Sequence, residues 1–361
     1  MAQKHSNSDS DLPGIKTQYN HDLNVSGEFL CDFSMIRDAL EDQRLLNEFR
    51  RYEGLAKSQK VWFQTLGLLS LLLGLLSLGA AAFQIILGDS LAGEFPVIWR
   101  AANVAAFASL FLIVWMRVGG YRRRWCLAVF CRERLRQWHF QKFLDGELMG
   151  KIVTDRNQYD SQLNEKWNEL QQNLRDGFGM MQDFMASRSR QNDFFFEYKP
   201  YPISSALGQT VLRALRTLRL DHQLRYTRRK EEVHGEGTGM ALREHDSIAE
   251  TVASVTLGGA VLVNALTVVF ASRVNLSRAL NGGALLLTVL SAASRAYRSG
   301  LTVPEEAESY SEYGDAVRQA KAIFDYTDFQ GQFLQLQRVE EESAAELRRF
   351  LKMKIHANFI F

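Results

Sequence analysis

A chain of 361 residues with 46% hydrophobic and 23% charged residues and a mean hydropathy of −0.18 has ordinary averages, and these hide a strong segregation of apolar from charged stretches. The net charge of +2 says little by itself, because the placement of the arginines matters more in such a chain. Cys31, Cys126 and Cys131 form neither a paired framework nor a metal spacing, which argues against a disulfide scaffold and for a reducing compartment.

In chain order, residues 1–28 are polar, contain Pro13 and Gly14, and lack an apolar period; they read as a disordered or loosely docked tail. Over residues 29–60, Phe33, Ile36, Leu40, Leu45, Phe49 and Tyr52 recur at roughly helical intervals, which predicts an amphipathic helix with a bend at Gly54. Val61 to Leu87 then runs without a charge and exceeds the roughly 20 apolar residues needed to cross a bilayer core of about 30 Å. A signal peptide would begin near the N-terminus, whereas this stretch follows a long polar region. After the short connection GDSLAGEF comes a second block, Val97 to Met116, so residues 61–116 form a first transmembrane hairpin. Ser70 and Gly74 on one span and Ala101, Ala105 and Ser109 on the other stand at four-residue spacing, which permits close backbone approach. They pack either this hairpin or copies of the chain.

Arg117, Arg122, Arg123, Arg124, Arg132, Arg134 and Arg136 follow the second span, while the connection carries only Asp89 and Glu94. The positive-inside rule therefore places both outer ends of the hairpin in the cytoplasm. Tyr121 to Leu148 reads as a helix leaving the membrane, and Leu163, Trp167, Leu170 and Leu174 mark another at the 3.6 period. Pro200 and Pro202 then indicate a linker or turn. Leu207 to Lys230 is helical and basic, with Arg213, Arg216, Arg219, Arg225 and Arg228 among its cations. A solvated ion-paired face, anionic lipid and nucleic acid compete for it; no motif-bearing surface supports the last. Arg117, Arg122, Arg123, Arg124, Arg213 and Arg216 are the candidate anionic-lipid contacts. His222, His234 and His245 match no zinc spacing, and no metal or cofactor is expected.

A third charge-free block, Thr251 to Ser272, and a shorter fourth, Ala279 to Ser294, are joined by RVNLSR and form a second hairpin over residues 249–296. Ser254, Thr256, Gly258, Asn264 and Thr267 make the third block polar where lipid favours leucine; they are candidate pore-lining groups unless they satisfy themselves by back-bonding. Residues 117–248 and 297–361 complete the chain as water-exposed helices, the last segment patterned with alternating Glu and Arg as one helix or two coiled together. The expected fold is all-α: a polytopic membrane protein with two transmembrane helical hairpins, cytosolic amphipathic helices and both termini cytosolic.

There is no GxxxxGK[ST], GxSxG or HExxH, and Glu133 and Glu147 are better explained by ion pairs than as catalytic carboxylates, so no enzyme is expected. The hairpin followed by a basic, Trp-bearing helix with the core RERLRQWHFQ, over about residues 57–143, resembles the SLATT-type and four-span transmembrane effectors of bacterial nucleotide-second-messenger defence systems. RAYRSG and EEAESYSEYGDAV after the second hairpin are compatible with the same layout, although many relatives carry a single hairpin. The resemblance implies a membrane-disrupting or pore-forming inner-membrane effector, held quiet until an activating protein or nucleotide signal acts on its cytosolic helices, in anti-phage defence. Four helices alone pack too tightly to leave a wide aqueous path, so a pore needs several copies or a loosened bundle, and a homo-oligomer is expected. It carries over no catalytic residues. The rival expectation is a non-conducting membrane anchor whose cytosolic helices recruit a partner.

Overall fold

The computed structural model describes residues 22–23, 25, 27–87, 96–187, 193–202, 205–232 and 242–357. Most of the expected tail, the connection GDSLAGEF and the glycine-rich stretch 233–241 lie outside the described residues. Three short helical turns, Gly27–Cys31, Ser34–Ile36 and Arg37–Leu40, precede α1 (Gln43–Leu87). There follow α2 (Pro96–Val118), α3 (Tyr121–Gln141), α4 (Gly146–Thr154), α5 (Arg156–Asp176), α6 (Phe178–Ala186), α7 (Ala206–Leu215), α8 (His222–Glu232), α9 (Leu242–Val269), α10 (Val274–Leu301), α11 (Val303–Phe324) and α12 (Phe329–His356). The protein is an all-α polytopic membrane protein with four helices long and apolar enough to cross a bilayer.

The chain divides into two compact units, each assembled from three stretches: unit 1 from Met1–Glu53, Phe130–Arg229 and Glu312–Arg348, unit 2 from Gly54–Val129, Lys230–Ser311 and Arg349–Phe361. This differs from a serial reading in blocks, because residues 117–129 and 349–361 fall with the spans. Gly54 does not interrupt α1, which runs 45 residues without a break.

Unit 2 holds the four spans. Its side chains follow the logic of a hydrocarbon solvent: Phe107 is 75% exposed and Val268 78%, while Ser70, Ser109 and Ser291 are buried. A bilayer offers no hydrogen bonds to the backbone, so helices are the form that crosses it, and small residues let them approach. Ser109 Oγ donates to Ser70 O at 2.8 Å, joining α2 to α1. Ser291 Oγ and Ser294 Oγ donate to Ala253 O and Ala249 O at 2.9 and 2.7 Å, joining α10 to α9. Gly282 lets α1 touch α10, since a Cβ there would stand 2.9 Å from Ala82 O. Gly120, at φ 61°, turns the chain out of α2 and into α3.

In unit 1 several helices start on their own capping residues. Asp42 Oδ1 accepts from the Arg44 and Leu45 amides, Asp145 Oδ1 from Leu148 N, Asp155 Oδ1 from Gln158 N, and Ser205 Oγ from Gly208 N. The α5 stripe buries Tyr159, Leu163, Trp167, Leu170 and Leu174. The basic segment after Leu207 is not one α-helix: α7 and α8 are separated by a π-helical turn, Arg216–Asp221.

Candidate functional site

Three groups of side chains carry the chemistry that the sequence offers. In the spans, the buried Ser70 and Ser109 meet each other, while Gly74 and Ala105 are half-buried and Ala101 is exposed. The four-residue spacing on α2 is thus brought against α1 within one chain at Ser109. The candidate pore residues lie on two sides of α9. Ser254, Gly258 and Asn264 are exposed, and no atom would meet a Cβ at Gly258 within 4 Å. Thr256 and Thr267 are half-buried and donate to carbonyls four residues earlier, Val252 O at 2.6 Å and Val263 O at 2.9 Å. Their hydroxyls are therefore already satisfied within the helix.

The second group lies at the ends of the spans in unit 2. Arg117, Arg123 and Arg124 are exposed beside the α2–α3 turn, and Arg122 donates to the Ala357 carbonyl. Trp62 stacks with Tyr121 at 6.3 Å, and Trp125 meets Phe63 and Phe350, each at 6.0 Å. Lys354 is buried and its Nζ donates to Leu301 O at 2.9 Å, Thr302 Oγ1 at 2.6 Å and Glu306 Oε2 at 2.5 Å. It caps the carbonyl end of α10, where Thr302 takes a left-handed conformation at φ 51°. The other two lipid candidates belong to unit 1: Arg213 is exposed, and Arg216 pairs with Asp325 at 2.8 Å.

The third group is the buried charged core of unit 1. The sequence reads Tyr121 to Leu148 as a helix leaving the membrane into a water-exposed helical region; residues 134–146 are instead buried throughout. Arg134, Gln137 and Gln141, at i, i+3 and i+7, share one stripe of α3. Arg134 Nη1 donates to Gln137 Oε1 at 2.7 Å and to the Asp193 main-chain carbonyl at 2.9 Å; Gln141 Nε2 donates to the same carbonyl at 3.2 Å. Both Arg348 terminal nitrogens, from α12, grip the Asp193 carboxylate. The guanidinium of Arg134 lies 3.9 Å from the Phe195 ring centroid and 5.1 Å from that of Phe184.

Neighbouring stripes are equally charged. Arg136 pairs with the fully buried Asp22 at 3.0 Å and with Glu133 at 2.6 Å. From the π-helical turn, Arg219 reaches Glu340 of α12 at 2.5 Å, both 2% exposed, over the ring of Phe140. Burial pushes the Glu340 carboxyl above its ordinary range, against the pull of Arg219. Glu147, by contrast, is exposed, and its hydrogen bonds to Lys199 and Lys151 hold its carboxyl below that range. Glu133 and Glu147 are both ion-paired.

The proline segment is a packed strap. Gly146 N donates to Lys199 O at 2.8 Å and Lys199 N to Leu144 O at 3.2 Å, an approach that a Cβ on Gly146 would block at 2.8 Å. Tyr201 OH donates to Phe143 O at 2.8 Å, Lys166 Nζ to Phe195 O at 3.1 Å, and Phe196 packs 5.4 Å from Trp138. The sequence reading missed Asp22, Asp193, Arg348, Lys354 and the Arg219–Glu340 pair. One signal for the buried α3 was available: Phe130, Leu135, Trp138 and Phe140 project around the helix rather than along one face.

The chain matches no family model, no curated protein and no solved structure.

Proposed function

We propose that this chain is a non-catalytic inner-membrane effector that self-associates and permeabilises the membrane when a cytosolic signal acts on it. The observation that carries the reading is the exposed face of α9, where Ser254, Gly258 and Asn264 stand among lipid-facing valines and leucines. A polar group in hydrocarbon costs free energy unless it finds a partner or water, and copies of α9 assembled around a wet path supply both. Four helices in one chain are too few to enclose a wide aqueous channel, so the conducting form is an oligomer. The resemblance to SLATT-type effectors supports the same reading and adds the setting, bacterial anti-phage defence with a nucleotide or protein trigger. Exposed Arg117, Arg123 and Arg124 beside Trp62 and Tyr121 fit an interface with anionic headgroups.

The test is efflux of ions or a small dye from proteoliposomes holding the full chain, together with membrane depolarisation on expression in bacteria. Efflux under a candidate trigger supports the effector. No efflux under any trigger, with intact protein in the bilayer, favours the rival: a membrane anchor whose unit 1 recruits a partner. The observation behind that rival is the fixed, aromatic-rich core of unit 1, a fold larger than a pore alone requires.

A further inference from the structure

We propose that Arg134, Arg348 and Gln137 form a binding site in unit 1 for a phosphoryl anion, whose place the Asp193 carboxylate holds in this structure. The inference goes beyond the effector reading and does not depend on conductance. Arg134 is 2% exposed, and its hydrogen-bond partners are neutral: the Gln137 amide oxygen and the Asp193 main-chain carbonyl. A buried guanidinium without a carboxylate in contact is a costly arrangement. Arg134 Nε and Gln137 Nε2 are also buried without a hydrogen-bond acceptor. Charges also act on Arg134 at longer range, Asp193 and Glu340 in favour of its charged form and Arg348 against it, so these four groups balance and the open hydrogen-bonding capacity lies at Arg134 Nε and Gln137 Nε2.

A carboxylate offers two oxygens, and Arg348 takes both. A phosphoryl group offers three and carries more charge, so it can keep the Arg348 fork and also accept from Arg134 Nε and Gln137 Nε2. Phe184 lies against both guanidinium groups, at 5.1 Å from each, which fixes the planes of the two forks. Entry requires Asp193 and the strap behind it to lift from α3, so binding exchanges an internal anion for an external one.

The experiment uses the full chain in detergent, with inorganic phosphate and ATP as probes and chloride at matched ionic strength as the reference. Thermal unfolding reads binding, and amide exchange over residues 193–201 reads release of the strap. The wild type is expected to gain stability with phosphate or ATP while the strap exchanges faster. Asp193→Asn keeps the shape, removes the competing anion, and should bind the probe more tightly by about tenfold, with Arg134→Gln and Gln137→Leu each weakening it by about tenfold. A response to both probes that is tighter for ATP identifies the phosphoryl group as one carried by a nucleotide, and a response to phosphate alone identifies the free ion; either supports the site. Phosphate also stabilises proteins generally, so a shift that persists undiminished in both Arg134→Gln and Gln137→Leu overturns the proposal. No shift in either the wild type or Asp193→Asn, each folded by circular dichroism, overturns it as well.

Discussion

Arg219 and Glu340 form a buried pair in which two opposed effects can be separated. Burial raises the Glu340 carboxyl above its ordinary value of 4.5, so the folded chain holds a proton that the unfolded chain releases. Its contribution to stability is therefore full below that value and is lost as the pH rises through the raised one. Glu340→Gln should flatten this loss in a pH series of unfolding midpoints. Arg219→Met leaves the carboxyl buried alone, steepens the loss, and costs about 3–5 kcal/mol at neutral pH, whereas replacing both residues by apolar ones of similar volume should cost far less. Chemical denaturation of the three variants checks the ordering. None of this was legible from the sequence, because Arg219 and Glu340 lie 121 positions apart and each sits in a run of charges that reads as solvated. Lys354 was hidden in the same way, as one cation among several at the end of α12.

At the scale of elements, apolar pattern was enough to locate the spans but not to tell which face of a helix meets lipid, a neighbour or a second copy. The Leu163, Trp167, Leu170 and Leu174 stripe could be read correctly because one side of α5 is wet and the period shows it. α3 could not, since its polar residues from Arg134 to Gln141 are buried among aromatic rings, and a basic helix after a span invites a surface reading. The strap was legible only as a linker or turn: prolines break a helix, and the described residues 193–202 hold no α-helix, but prolines say nothing about whether the broken segment packs. Gly146→Ala tests that packing, because the added methyl meets the Lys199 carbonyl at 2.8 Å and the strap or α4 must shift. The expected cost is about 1–3 kcal/mol, read by denaturation, with faster amide exchange at Lys199. For α9, Asn264→Leu and Gly258→Leu remove a polar group and exposed backbone from the outer face. On the effector reading both should lower triggered efflux several-fold, while Leu72→Ala on an exposed face of α1 leaves it nearly unchanged. Equal efflux from all three would remove α9 from the conducting surface.

At the scale of the whole molecule, the orientation of the second hairpin is the point on which sequence reasoning was weakest. Arg273 and Arg278 lie at the turn between α9 and α10, where the positive-inside rule would not put them if the hairpin ends are cytosolic. Unit 2 supplies an argument that residue counts lack. Trp125, just beyond α2, packs on Phe350, and Lys354 one turn further along α12 caps Leu301 at the end of α10. The exits of both hairpins are thus tied to one stretch of α12 and must share a side of the membrane. The antiparallel approach of α1 and α10 at Ala82 and Gly282 puts the far ends together too. The placement of Arg273 and Arg278 then follows from packing, with their long side chains able to reach headgroups from the opposite face. If the arginines at 117, 123 and 124 set the first hairpin, reporters active only outside the cytoplasm should work at Ala92 and Asn275 and fail at Val153 and at the C-terminus. Activity at Ala92 with silence at Asn275 would mean that the hairpins insert in opposite senses, and the Lys354 cap could not then form in the membrane.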